Sequence, residues 1–212
     1  MFEVQLRCVF SCSPLSPLWL GIKCTIMNPV VINSSEIVNN GRCFVVSEIG
    51  AMYENIAGMK DLIKASKEAG ADAVKLQTYC AETVANKDAE FECEDGSRMS
   101  QFDFFKQYEI SKADHKVLFD YAREMGIMIF STPAYYDDVD FLDALGAPVF
   151  KTGSDDLTNY PFLEYIAHKG KPIIVSTGMS TLEEVEKTVE TILKTGNDQL
   201  VSAALYGILI PP

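Results

Sequence analysis

Two lysines sit where short apolar runs give way to polar residues, and hydroxyl-bearing side chains occupy comparable points elsewhere along the chain. Lys75 lies in "ADAVKLQT" ahead of Gln77, and Lys151 lies in "APVFKTGS" ahead of Ser154. "IMIFST" ends in Ser131 and Thr132, "KPIIVSTG" carries Ser176 and Thr177, and "CFVVSEIG" carries Ser47 and Glu48. An ammonium that follows a buried strand must find an anion or reach water. Two of them, with Thr132, Ser154 and Ser176 as neutral donors, suit a small dianion such as a phosphate ester or a phospho-carboxylate. The small residues of "TGS" and "STG" let backbone N–H groups approach such an oxygen-rich ligand. Taken singly, each lysine equally fits a surface charge paired with a neighbouring carboxylate. Glu48, Asp155 and Asp156 are candidates for a general acid or base. The two aspartates also suit N-capping of a helix over "TNYPFLEYIA".

These residues converge only if the elements carrying them are parallel. "CFVVSEIG", "ADAVKLQT", "IMIFST", "APVFKTGS" and "KPIIVSTG" read as strands, and a final apolar run, "QLVSAALYGILI", follows them. Between them lie helical patterns: "IAGMKDLIKASKEAG" closed by Gly70, and "SKADHKVLFDYAREMG" with Ser111 as N-cap and Gly126 past its end. "DDVDFLDALG" and "YPFLEYIAHKG" follow. The last helix opens with a capping box, Ser180 to Glu183 or Thr181 to Glu184, and carries the stripe Leu182, Val185, Val189, Ile192 and Leu193. Residues 80 to 100 form a long polar excursion, with a short helix expected near Phe102 to Tyr108. "PVVINSSEIVNNGRCFVV" reads as two short strands, with Asn39-Asn40-Gly41 as turn chemistry.

Strands apolar on both faces, alternating with helices, imply parallel pairing with helical cover. The class is α/β, and the repeat length fits a (β/α) barrel or a doubly wound sheet. In either, all strand C-terminal ends lie on the side where the ligand sits. No G-x-G-x-x-G or Walker signature appears, which disfavours a nucleotide-binding version.

The bulk properties exclude several classes. A formal net charge of −12 argues against nucleic-acid binding, which needs a basic face. Hydrophobic content of 48% and charged content of 23% are those of an ordinary globular chain. No run of about 18 apolar residues exists, so no membrane span is expected. Six cysteines (Cys8, Cys12, Cys24, Cys43, Cys80 and Cys93) show neither CxxC nor zinc-ligand spacing, and all six read as free thiols of a reducing, cytoplasmic compartment. His115, on the charged part of its helix, and His168, in a last turn, are not expected to share a metal. Residues 1–28 form an irregular N-terminal extension supporting no element, ahead of one domain over 29–212.

EIG at Glu48–Gly50, VKLQTY, FSTP, KTGSDDLTNYP and STGM together resemble the sialic acid synthase family, over about Gly41 to Asn197. The resemblance implies a TIM barrel preceded by a short β-hairpin, and condensation of phosphoenolpyruvate with N-acetylmannosamine or a related amino sugar. By motif, Lys75, Thr132, Lys151, Ser154 and Ser176 resemble the phosphoenolpyruvate-binding groups, and Gln77 a contact to the sugar. Glu48 and Asp156 resemble active-site carboxylates. The family also implies a divalent ion, manganese or magnesium, and a homodimer completed by an antifreeze-like domain.

Three departures accompany the likeness. Where the family reads EIG-x-Asn-His, this chain has Met52-Tyr53. "SAALYGILIPP" replaces the family's sixth-strand motif. The chain then ends at about six of the eight strands of a closed barrel, before the metal-binding histidines and the antifreeze-like domain. The expectation is an incomplete barrel of weak or no activity. The sugar stays open between N-acetylmannosamine and a precursor of legionaminic or pseudaminic acid. Two other readings stand beside this one: a Schiff-base aldolase using Lys151, and a remnant that binds ligand or partner without turnover.

Overall fold

The computed structural model describes residues 6–8, 29–33, 35–37, 42–50, 54–92, 96–178 and 180–203. Most of the 1–28 extension, the Asn39-Asn40-Gly41 turn, Met52-Tyr53 and everything after residue 203 lie outside the described residues. Within 1–28 one strand is described, β1 (Leu6–Cys8), where the sequence supports no element. The chain divides into two compact units, one comprising Met1–Arg7 with Val45–Ala147 and the other Cys8–Phe44 with Pro148–Pro212.

The second unit opens with an antiparallel hairpin, β2 (Val30–Ile32) and β3 (Ser35–Ile37), pairing Ile32 with Ser35. The expected hairpin is therefore present, while the Asn39-Asn40-Gly41 triplet lies outside the described residues. Asn33 adopts φ 53, and its short polar side chain tolerates that left-handed conformation.

The first unit is built on β4 (Val45–Glu48), β5 (Ala73–Thr78) and β8 (Met128–Pro133), which pair in parallel in that order. Helix α1 (Ile56–Glu68) connects β4 to β5, buries Met59 and Ile63, and starts where the Asn55 side chain accepts the Gly58 N–H at 2.9 Å. Its Ser66 hydroxyl donates to the Leu62 carbonyl and hydrogen-bonds the Ser47 hydroxyl, each at 2.7 Å, tying helix to strand. Between β5 and β8 the polar excursion forms α2 (Ala81–Val84), a small antiparallel hairpin of β6 (Glu90–Glu92) and β7 (Arg98–Ser100), and α3 (Gln101–Tyr108). Phe91 packs edge-on against Phe104, joining that hairpin to α3.

Helix α4 (Lys112–Met125) returns the chain to β8 with the expected caps: Ser111 accepts from the Asp114 N–H, and Gly126 takes φ 66. It buries Leu118, Phe119 and Ala122. Each such apolar side chain removed from water contributes about 1.5–3 kcal/mol for the larger ones. Helix α5 (Tyr136–Leu145) closes the unit.

The second unit continues with β9 (Phe150–Thr152), α6 (Tyr160–Ala167), β10 (Ile173–Ser176), α7 (Leu182–Lys194) and β11 (Leu200–Ala203). β9, β10 and β11 pair in parallel, Ile173 lying opposite both Phe150 and Leu200. Helix α6 buries Phe162, Leu163 and Ile166. Helix α7 takes the Thr181–Glu184 register of its capping box, with both reciprocal hydrogen bonds made. Its apolar stripe is only partly covered: Ile192 is buried, whereas Leu182 is 47% exposed. Thr188 is buried instead, donating to the Leu157 carbonyl at 2.6 Å. Asn197 donates to the carbonyls of Ala167 and Lys171, tying the end of α6 to the approach to β11.

The architecture is thus α/β, with helices joining parallel strands. One expectation about the cysteines fails. Cys80 is a free thiol, but Cys43 is disulfide-bonded. Spacing along a chain excludes motifs; it does not exclude a disulfide. Among the described residues, no helix is long and apolar enough to cross a membrane.

Candidate active site

In the first unit Glu48 at the end of β4, Lys75 within β5 and Thr132 near the end of β8 come together. Register places Glu48 opposite Lys75, and Gln77 opposite Thr132. The Lys75 ammonium lies 2.7 Å from Glu48 Oε1 and donates to Thr132 Oγ1 at 3.0 Å. Lys75 is only 7% exposed. A buried ammonium costs several kcal/mol unless it is paired and hydrogen-bonded, and these two partners offset that cost. The paired-carboxylate reading of Lys75 and the catalytic nomination of Glu48 therefore describe one ion pair.

The glycine of EIG has a packing reason. A Cβ on Gly50 would stand 2.4 Å from the Gln77 backbone nitrogen and 2.7 Å from the Leu76 carbonyl carbon. Only hydrogen fits. Ile49 N–H also donates to the Lys75 carbonyl at 3.1 Å, extending the ladder past β4 and holding the Gln77 segment against the turn.

In the second unit Lys151 of β9 donates to the Ser176 hydroxyl at the end of β10, and to the Thr152 carbonyl at 2.6 Å. Ser154 lies close to the loop after β10, its Oγ 3.6 Å from where a Cβ on Gly178 would be. A Cβ on Gly153 would collide with Asp155 Oδ1, so that carboxylate folds over the glycine of "TGS".

Asp156 does not cap α6; the N-cap position belongs to Asn159, whose side chain donates instead to Asp156 Oδ1 at 3.2 Å. Burial pushes the Asp156 carboxyl above the usual range and the Asp155 charge adds to this, while the Asn159 hydrogen bond opposes it. A half-buried carboxyl with a raised pKa is suited to carrying a proton.

At the end of β5, residues that the sequence reading passed over form a second group. Cys80, Glu82 and Glu109 bring one ligand atom each within 4.8 Å of one another. Lys106 already occupies this group, its ammonium 3.3 Å from Glu82 and 3.2 Å from Glu109. The Cys80 thiol donates to Glu82 at 2.7 Å, and that hydrogen bond raises its pKa while holding Glu82 down at about 2. A protonated thiol and two carboxylates facing a lysine do not fit a divalent ion. Nearby Tyr79 is pushed up to about 12, chiefly by burial and next by the Glu109 charge.

The histidine expected on a charged helix surface is in fact buried. His115 is 1% exposed and stands edge-on to Phe141. The signal available in sequence was polarity on both sides of the strand ends: Thr78 and Ser131 point away from Lys75 and Thr132 by strand alternation, and a buried hydroxyl needs a partner.

Residues 62–204 match the NeuB family. The chain is 38% identical over 155 residues to N,N'-diacetyllegionaminic acid synthase of Legionella pneumophila, covering 71% of this chain and 44% of that protein. It is 33% identical over 156 residues to N-acetylneuraminate-9-phosphate synthase of Mus musculus, covering 71% and 43%. The chain thus spans less than half the length of either relative. Among solved structures, sialic acid synthetase from Leptospira borgpetersenii superposes with a TM-score of 0.73 at 22% identity, over 84% of this chain and 59% of that one. That likeness shows the fold, an incomplete TIM barrel with its preceding hairpin.

Proposed function

Because the chain belongs to the NeuB family, whose matched relatives include sialic-type acid synthases, we propose that its site serves the condensation of phosphoenolpyruvate with N-acetylmannosamine or a related amino sugar. The products are a nonulosonic acid and phosphate. The observation that carries this is the pairing of each strand-end lysine with a hydroxyl on the neighbouring parallel strand of its own unit, Lys75 with Thr132 and Lys151 with Ser176.

In this reading Lys75, Thr132, Lys151, Ser154 and Ser176 take the phosphate and carboxylate of phosphoenolpyruvate. Gln77, held by Gly50, offers an amide to the sugar. C3 of the enolpyruvate attacks the open-chain aldehyde carbon, forming the C–C bond while the aldehyde oxygen takes a proton. Water adds at C2 and gives up one proton. The bond from C2 to the phosphate oxygen then breaks, and the remaining C2 hydroxyl passes its proton to the departing phosphate as the ketone forms. Asp156, with its raised pKa, and Glu48, ion-paired to Lys75, are the groups assigned to move those protons. A divalent ion, manganese or magnesium, would supply polarisation of the aldehyde; the Cys80 group does not offer its ligands. A cytoplasmic setting and a homodimer belong to the same proposal.

The test is phosphate release from phosphoenolpyruvate, N-acetylmannosamine and manganese, with borohydride added in a parallel reaction containing pyruvate. The synthase reading expects phosphate and no trapped adduct on Lys151. A borohydride-trapped pyruvate adduct would mean an aldolase; ligand binding with no phosphate would mean a non-catalytic binding protein.

A further inference from the structure

We infer that His115 is a positioning residue, a neutral imidazole whose single acceptor nitrogen fixes the hydroxyls of Thr78 and Ser131 behind the strand ends that carry Gln77 and Thr132. The inference rests on the function proposed above for what those strand ends do, but not for the proton arrangement itself.

That arrangement follows by counting hydrogens. His115 Nδ1 lies 3.0 Å from the Ser111 carbonyl, which also accepts the His115 backbone N–H at 2.9 Å. A carbonyl oxygen only accepts, so Nδ1 carries the proton. In a neutral imidazole Nε2 is then an acceptor, and it lies 2.8 Å from Thr78 Oγ1. Thr78 has one hydroxyl proton, and it goes to Nε2. Ser131 Oγ, 2.6 Å from Thr78 Oγ1, must therefore donate to it. Every proton in the chain is assigned: Ser131 to Thr78, Thr78 to His115, His115 to Ser111.

The chain is dry, with Thr78 3%, His115 1% and Ser131 0% exposed. Burial holds the imidazole neutral by lowering its pKa, against the opposing pull of nearby carbonyls including that of Gln77. A hydroxyl stripped of its partner here has no water to turn to, and leaving it so costs about 1–3 kcal/mol. Thr78 and Ser131 each immediately adjoin a nominated site residue, Gln77 and Thr132, and the latter two lie opposite each other in the ladder. A rotation of either hydroxyl strand segment is transmitted to the site face by strand alternation.

The experiment uses nitrogen NMR of the intact chain with labelled histidine, where only two histidines contribute and His115→Gln identifies one signal. At neutral pH the His115 signal is expected to show a protonated Nδ1 and a bare Nε2; the opposite tautomer, or an imidazolium, overturns the inference. His115→Gln keeps an acceptor near the Nε2 position, whereas His115→Leu and Thr78→Val each break the chain.

Without ligand, the amide signals of Gln77 and Thr132 are expected to shift or broaden in the two breaking variants and to stay close to wild type in His115→Gln. With phosphoenolpyruvate, the breaking variants are expected to bind on the order of tenfold more weakly. Thr78→Val covers the case in which His115→Leu does not fold. Unmoved Gln77 and Thr132 signals in a folded breaking variant overturn the positioning role. If those signals move but the wild type takes no phosphoenolpyruvate, the positioning role stands and the proposed function fails.

Discussion

At the residue scale the decisive feature is that charge is placed where it can be satisfied. Lys75 is buried with Glu48 and Thr132 both within hydrogen-bonding distance. Lys75→Met should therefore destabilise the fold by about 1–3 kcal/mol in urea titration, and by more than Lys116→Met, whose pair with Asp120 is exposed. Equal effects would show that the Lys75 pair is no more than a surface contact. His115 gives a pH signature. Its folded pKa lies below the ordinary 6.5, so the unfolded chain binds the extra proton and folding loses stability as pH falls below that value. The urea midpoint should drop through this range in wild type and flatten in His115→Gln. Asp156 acts with the opposite sign: its raised folded pKa makes the ionised form unfavourable, so Asp156→Asn should stabilise the protein at neutral pH and lose that advantage in acid.

At the scale of the element, caps and close approaches were the most legible features. Ser111, Gly126 and the Thr181–Glu184 box sit where their spacing put them, because these rules depend on a few consecutive residues. Thr181→Ala should cost about 1 kcal/mol, seen as a lowered urea midpoint. Gly50→Ala should cost more, since its methyl would press on the backbone of β5 rather than on a movable side chain; a neutral result there would contradict the close approach. Less legible was whatever depends on which face is covered. The α7 stripe is correct in period, yet Leu182 stays exposed and Thr188 is buried. His115 looked like a surface residue among charged neighbours; its partners Thr78 and Phe141 lie in β5 and α5, which no local pattern relates to it. The hairpin was expected from its strands, and between them Asn33 adopts the left-handed conformation that its short polar side chain tolerates.

At the scale of the whole molecule, alternation of buried strands with amphipathic helices was enough to give α/β class and parallel pairing, and the strand-end motifs were enough to give the family. Composition could not reveal the disulfide at Cys43. An acidic chain with a net charge of −12 attracts an anionic ligand only through local cations, so the account stands or falls with its two strand-end lysines. Calorimetric titration of phosphoenolpyruvate into the wild-type chain and Lys151→Met is the most direct measurement. Saturable binding to wild type, weakened on the order of tenfold or more by the substitution, is the predicted result. A folded wild-type chain that takes up no phosphoenolpyruvate, or a Lys151→Met variant that binds it equally well, would contradict it.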